Sequence, residues 1–283
     1  MRRCKGKTVY REEGSRLIDC DRCGYIHVVP MYTEKDLEEF YKNEFSESTP
    51  SPNWHDKVKN ICKWKKGGTV LDIGCWEGAQ LEYFAKKKDW KCMGVELNKK
   101  AAQKSRKKGI EVHEVSVREF FDKFKNKKWD VINVAYVLEH IIDPYSFMCA
   151  IKDHLKKNGI VIIEVPNEFN PFQMAYLKEH KVDPYWVSLP IHLNYFNKEG
   201  IEKLIKRAGW RIIHGEMSFP MEMFLLMGDD YRVKPKVGRM CYNKLLKMQD
   251  TLREYDDELV SKFHSSLYSA GIGRSIVLYL KKK

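Results

Sequence analysis

The chain has 283 residues, 43% of them hydrophobic and 32% charged, with a formal net charge of +12 at pH 7. That length buries one substantial core and leaves room for a small appendage. No apolar run reaches the roughly 20 residues that a bilayer-spanning helix needs, so membrane insertion is not expected.

The chain starts Met1-Arg2-Arg3-Cys4-Lys5 and continues into polar sequence rather than an apolar signal core, which argues for a cytoplasmic protein. Its eight cysteines are scattered, and Cys75, Cys92 and Cys149 fall in apolar stretches. This usage fits reduced thiols better than a disulfide framework. The lysines are spread along the chain, as in Lys86-Lys87-Lys88 and Lys281 to Lys283. They describe a solvated face better than a nucleic-acid stripe, and they are compatible with an anionic small-molecule substrate.

Residues 1–30 read as a small strand-and-knuckle unit around Cys20-Asp21-Arg22-Cys23-Gly24. A helix is expected over 33–45, with Leu37, Phe40 and Tyr41 at helical spacing, and a Ser/Pro-rich connection follows at 46–53. A βα alternation then sets in. Thr69–Ile73 is the first strand, followed by a helix with an apolar stripe of Leu81, Phe84 and Ala85. Cys92–Leu97 is the second strand, 99–108 a Lys-rich helix that stops at Gly109, and Glu111–Val115 the third strand. Trp129–Val134 is the fourth, backed by a helix through Phe147, Ile151 and Leu155 that ends at Gly159. Ile160–Val165 is the fifth, 198–208 a helix that ends at Gly209, and Trp210–His214 a sixth strand. Residues 217–270 are an insertion with a helix carrying Leu245, Leu252, Leu259 and Phe263, ahead of a last strand, Ser275–Leu280, expected at the sheet edge beside 210–214. The fold class is therefore α/β: a doubly wound, mostly parallel seven-stranded sheet covered on both faces. The expected divisions are 1–45, 46–216, 217–270 and 271–283.

The most informative segment is Val70-Leu71-Asp72-Ile73-Gly74-Cys75-Trp76-Glu77-Gly78. A strand entering a glycine turn and then a helix aims backbone N–H groups at a ligand. Glu96 lies 22 residues past Gly74, at the end of the next strand, where its carboxylate can accept from two ribose hydroxyls. A dinucleotide site competes with this reading, but G-x-G-x-x-G is absent. Asp72 also stands where a pyrophosphate would have to lie. A carboxylate there repels phosphate and suits an ammonium group.

These residues resemble the class I methyltransferases that use S-adenosylmethionine (SAM). VLDIGCWEG is similar to their first motif, VGVELN to the acidic second, WDVINVAYVLEHIIDP to the segment after strand four, and LKKNGIVIIEVPNEFNPF to the strand-five region. The resemblance covers about residues 65–215 and the last strand. It implies that Asp72, Gly74 and Gly78 hold the methionine part, that Glu96 holds the ribose, and that the backbone around Ala135 and Tyr136 faces the cofactor, with Cys75, Leu97 and Ser116 as further cofactor-binding candidates. Ser116 stands where an acid commonly meets the adenine amino group, and Trp76 where a second glycine is frequent.

CDRCGYIHVVPMYTEKDLEEFY resembles the N-terminal knuckle of sugar methyltransferases, whose full version is a four-cysteine zinc ribbon. Cys4, Cys20, Cys23 and His27 are the candidate zinc ligands; the alternative is a knuckle held by packing alone. PIHLNYF resembles a segment of those enzymes in which a histidine serves as base, which makes His192 the candidate general base. His140 and Tyr41 are further catalytic candidates; each could instead be structural.

The expected activity is SAM-dependent methylation of a small-molecule acceptor, sugar-linked or anionic. Nucleic acid is not the expected acceptor, because no Asn/Asp-Pro-Pro-Tyr/Phe motif follows strand four and no Pro-Cys nucleophile is present. The alternatives are an RNA or DNA methyltransferase and a non-catalytic binding module on the SAM fold.

Overall fold

The computed structural model describes residues 4–12, 14–33, 37 and 54–283. Strands β1 (Gly6–Glu12), β2 (Ser15–Cys20) and β3 (Ile26–Val29) form an antiparallel meander. The expected helix over 33–45 lies largely outside the described residues, Tyr41 included.

Helix α1 (Trp54–Trp64) is an element that apolar periodicity does not announce. Its buried residues include Asp56, Lys57 and Asn60 beside Val58 and Ile61, so polar side chains interrupt the stripe. Then come β4 (Gly68–Ile73), α2 (Ala79–Ala85), β5 (Trp90–Val95), α3 (Lys99–Lys107), β6 (Glu111–His113), α4 (Val117–Lys123) and β7 (Trp129–Ala135). Helix α2 buries Gln80, Leu81 and Phe84, whereas Ala85, expected in the stripe, is exposed.

The helix expected to run through Leu155 to Gly159 ends earlier. Helix α5 (Pro144–Ala150) tightens into a 3-10 turn at Ile151–His154, and β8 (Leu155–Pro166) already begins at Leu155. Gly159 lies inside that strand, where an added Cβ would meet the Leu155 side chain at 2.6 Å and the Asp130 carbonyl oxygen at 3.1 Å. The register shifts here, from Trp129 opposite Leu155 to Val131 opposite Ile160, so the glycine serves a bulge rather than a helix stop.

Helix α6 (Pro171–His180) starts from a capping box in which Asn170 accepts from Gln173 and Gln173 reaches back. After it come β9 (Asn194–Tyr195), which pairs with β3, then α7 (Lys198–Arg207), β10 (Trp210–Met217) and α8 (Glu222–Leu226). Two helices follow where one was expected, α9 (Pro235–Tyr255) and α10 (Leu259–Ala270). Between them Asp256 Oδ1 accepts from the Glu258 backbone N–H at 2.9 Å, a local bond that diverts the backbone from the helix.

The last strand, β11 (Ser275–Lys282), completes a seven-stranded sheet of order β10-β11-β8-β7-β4-β5-β6. Strands β4 to β8 pair in parallel. The expectation of β11 at the edge is corrected: it lies inside, and β10 takes the edge. Ser275 to Leu280 are all buried, as an interior strand requires.

The chain divides into two compact units. The first comprises 1–30, 165–203 and 214–277; it carries the four-stranded sheet β1-β2-β3-β9 and an apolar cluster of Phe219, Phe224, Cys241 and Leu245. The second comprises 31–164, 204–213 and 278–283 and includes β4 to β7 with the glycine turn.

Candidate functional site

In the second unit, parallel pairing fixes where the motif residues fall. Asp72 pairs with Gly94 on β5 and Asn133 on β7, one residue before β4 ends. Asn133 donates to Asp72 Oδ1 at 2.6 Å. Burial pushes the Asp72 carboxyl up to about 7, although the Asn133 bond and the nearby Lys57 ammonium favour its ionised form.

The turn reverses the chain with Gly74 at φ 71° and Gly78 at φ 73°, values that glycine adopts without strain. Contrary to expectation, its N–H groups are engaged internally. Gly74 and Cys75 donate to the Val95 carbonyl at 2.8 and 3.1 Å, Gly78 to the Cys75 carbonyl at 2.8 Å, and Trp76 to Glu96 Oε2 at 2.9 Å. The turn therefore contributes shape beside the Asp72 and Glu96 carboxylates rather than a row of free donors.

Glu96 is buried, and its Oε1 accepts from the Asn98 N–H at 2.7 Å. Burial raises its pKa against those bonds from the backbone. Each carboxylate oxygen has a second acceptor position, so the fixed group can still take a ribose hydroxyl. Asp72 and Glu96 thus fit SAM. A buried carboxyl held near neutrality gains most from an ammonium partner, and a carboxylate anchored by backbone donors is pre-oriented for a diol.

The remaining cofactor candidates divide. Ala135 is buried at the end of β7, and Tyr136 follows with φ 55° and is partly exposed. Tyr136 donates from its backbone N–H to the Glu164 carbonyl at 2.8 Å and from its hydroxyl to Glu164 Oε1 at 3.0 Å. Lys57 pairs with the other oxygen, Oε2, and both side chains are almost fully buried. The Cys75 thiol is buried against Gly94, and burial raises its pKa. Leu97 is exposed. Ser116 N-caps α4 in a capping box, its Oγ accepting from the Glu119 N–H at 3.2 Å and its N–H donating to Glu119 Oε2 at 2.8 Å. Those groups serve the helix start. His140 is half-buried in the 3-10 turn Leu138–His140 and bonds the Val137 carbonyl through its backbone N–H.

In the first unit, His192 Nδ1 lies 3.3 Å from Glu168 Oε1. Burial, followed by the Arg274 charge, lowers the His192 pKa to about 4, so the imidazole is neutral at physiological pH. Burial raises Glu168 well above the ordinary carboxylate range.

The same unit gathers the Cys4, Cys20 and Cys23 thiols with His27, all four ligand atoms within 4.8 Å of one another. The meander makes this possible: β1 leads away from Cys4, β2 ends at Cys20, and the following turn returns Cys23 toward His27 on β3. His27 Nδ1 bonds the Val28 carbonyl at 2.9 Å, which places the proton there and leaves Nε2 as a lone pair. That buried Nε2 has no hydrogen-bond partner among the described residues. The donor set, three sulfurs and one imidazole nitrogen, matches tetrahedral zinc.

Fold and site together define a class I methyltransferase. A family model described as a methyltransferase domain matches residues 50–215, and the chain belongs to that family. It is 29% identical to the ubiquinone biosynthesis O-methyltransferase of Pasteurella multocida (strain Pm70), over 36% of this chain and 47% of that protein. The chain thus spans about half the length of this curated relative. Among solved structures, a SAM-dependent methyltransferase from Archaeoglobus fulgidus superposes with a TM-score of 0.53 at 18% identity, over 89% of this chain and 100% of that one. The plantazolicin methyltransferase BamL, solved with a substrate analog and SAH, gives 0.52 at 15% identity, over 89% and 91%. At those identities the likeness is one of fold.

Sequence reasoning missed Lys57, Asn133, Glu164, Glu168 and Arg274. Glu164 and Glu168 had a usable signal: two acids flank Pro166-Asn167 at the end of a buried strand, where ligands of parallel sheets bind. Lys57 and Arg274 had none.

Proposed function

We propose that this protein transfers the methyl group of SAM to a small-molecule acceptor, a sugar or sugar-linked metabolite, with His192 as general base. The observation that carries the cofactor half is the buried Asp72–Asn133 pair beside the glycine turn. The Glu168–His192 pair carries the acceptor half. SAM supplies an electrophilic methyl on a sulfonium. Asp72 holds the ammonium of the methionine part, Glu96 receives ribose hydroxyls, and the Lys57–Glu164–Tyr136 network keeps the end of β7 in its strained conformation. His192 would take the acceptor proton at Nε2 as the acceptor–methyl bond forms and the sulfonium–methyl bond breaks, the cofactor leaving as the neutral thioether, while Glu168 holds the ring through Nδ1. Rate comes mainly from alignment and exclusion of water.

Incubation of the protein with methyl-labelled SAM and a cell extract tests this reading. Label in a sugar-containing small molecule is the expected result. Label in tRNA, rRNA or DNA at catalytic rates would replace it with the nucleic-acid reading, and cofactor binding without turnover on any acceptor with the binding-module reading. No helix among the described residues is long and apolar enough to cross a membrane. We further propose that Cys4, Cys20, Cys23 and His27 hold a structural zinc ion, supported by their spacing and by the orientation of His27.

A further inference from the structure

Helix α9 lies beyond the residues matched by the methyltransferase model, and its two faces differ. Val237, Cys241, Leu245 and Met248 recur at spacings of three and four and pack into the cluster with Phe219 and Phe224. The outward face presents Lys236, Arg239, Met240, Asn243, Lys244 and Lys247, which line one surface. From Lys234 to Gln249 the sequence holds five basic residues and no acid. Lys244 pairs with Asp229 at 3.3 Å, whereas Lys234, Lys236, Arg239 and Lys247 pair with no acid among the described residues.

That one ion pair also locates the preceding loop. Asp229 stands three residues past the end of α8 and Lys244 in the third turn of α9, so the pair ties the connection between the helices beside the cationic face. The connection displays apolar side chains. Val233 is 70% exposed and Met227 65%, the most exposed large apolar side chains after Tyr255 among the described residues. Leu226 and Met240 are exposed as well. Apolar tips set beside unpaired cations are two attractions of different kinds on one side of the molecule.

We infer that the outward face of α9 and the 226–233 connection form a docking surface for an anionic lipid bilayer, on which the protein sits peripherally. Lysine and arginine are drawn to the negative headgroups, and Met227 and Val233 reach past them to the acyl boundary. The cations extend along about 16 Å of helix from Lys236 to Lys247. Mobile headgroups gather beneath any such spacing, whereas an acidic protein would need carboxylates in matching register. Nucleic acid fits less well. Surfaces that bind single strands offer aromatic rings for base stacking, and no aromatic side chain lines this one.

Co-sedimentation of the full chain with vesicles tests the surface, using phosphatidylcholine alone and phosphatidylcholine with about one-third phosphatidylglycerol. The protein should bind the anionic vesicles alone, and less as salt rises. Lys236→Glu/Arg239→Glu/Lys247→Glu should weaken that binding about a hundredfold, and Met227→Ser/Val233→Ser about tenfold with no change of charge. All five side chains are exposed, so both variants should melt as the wild type does. Lys86→Glu/Lys87→Glu/Lys88→Glu makes the same change of charge at exposed positions elsewhere and should bind as the wild type. Equal loss in that control, or full binding by Met227→Ser/Val233→Ser, would reduce the effect to the attraction of a +12 protein and overturn the surface. Absence of binding to anionic vesicles at low salt overturns it as well, as does binding of tRNA or duplex DNA through the same cations without binding of vesicles.

Discussion

The side-chain amide of Asn133 donates to Asp72 Oδ1 across 2.6 Å, tying β7 to β4 two residues before Gly74 opens the turn. Burial outweighs that bond and leaves the carboxyl titrating at about 7. Protonation removes the partner of the SAM ammonium, so calorimetric affinity for SAM should fall as pH drops from 8 to 6. Asp72→Asn should bind about tenfold or more weakly at pH 8 and lose that pH dependence. Without SAM the sign is opposite. The folded-state pKa lies above the unfolded value of about 3.8, so Asp72 favours folding at low pH and loses that contribution between about 4 and 7. The melting temperature of Asp72→Asn relative to wild type should therefore be higher at pH 8 than at pH 5.

His192→Ala should lower kcat about a hundredfold with SAM affinity retained. Because burial holds the imidazole pKa near 4, kcat at saturating SAM should stay flat from pH 8 to about 5 as far as this group is concerned. A rate that falls with an apparent pKa near the ordinary histidine value would place the base elsewhere. His140→Ala, assayed in parallel, should have a much smaller effect.

Elemental analysis of protein purified without chelator should find one zinc per chain. Cys23→Ser should lose it, and chelation should lower the melting temperature of the wild type but not of the variant. Equal melting curves for wild type with and without chelator would leave the four side chains as a packed knuckle.

Lys57→Met leaves Glu164 buried without its cation and should destabilise the protein by about 3–5 kcal/mol. The double variant Lys57→Met/Glu164→Gln should recover much of that loss, because it removes both charges. Denaturant unfolding of the four proteins completes the cycle.

Gly78→Ala should destabilise by about 2 kcal/mol, a drop of several degrees in melting temperature, and weaken SAM binding. Its φ of 73° disfavours a side chain, and the added Cβ would lie 2.2 Å from Ser105 Oγ and 2.7 Å from Ile110 Cδ1. At Gly109, also at positive φ, an added Cβ meets nothing within 4 Å among the described residues, so Gly109→Ala should be milder.

Sequence alone determined the sheet and the turn. Thr69–Ile73, Trp129–Val134 and Ile160–Val165 are short apolar runs, and the turn after Asp72 needs glycines; both signals are local, set by backbone sterics and burial along one segment. Where a local signal was ambiguous the tertiary structure decided. Leu155 to Gly159 became strand because β7 offered a pairing edge, and β11 went inside the sheet because both of its faces had to be buried. The polar constellations were beyond local reading altogether. Lys57 meets Glu164 across 107 residues of chain, and Arg274 meets Glu222 across 52. Nothing in either neighbourhood marks the charge as buried, because burial and pKa are set by what folds around a side chain and not by its neighbours in sequence.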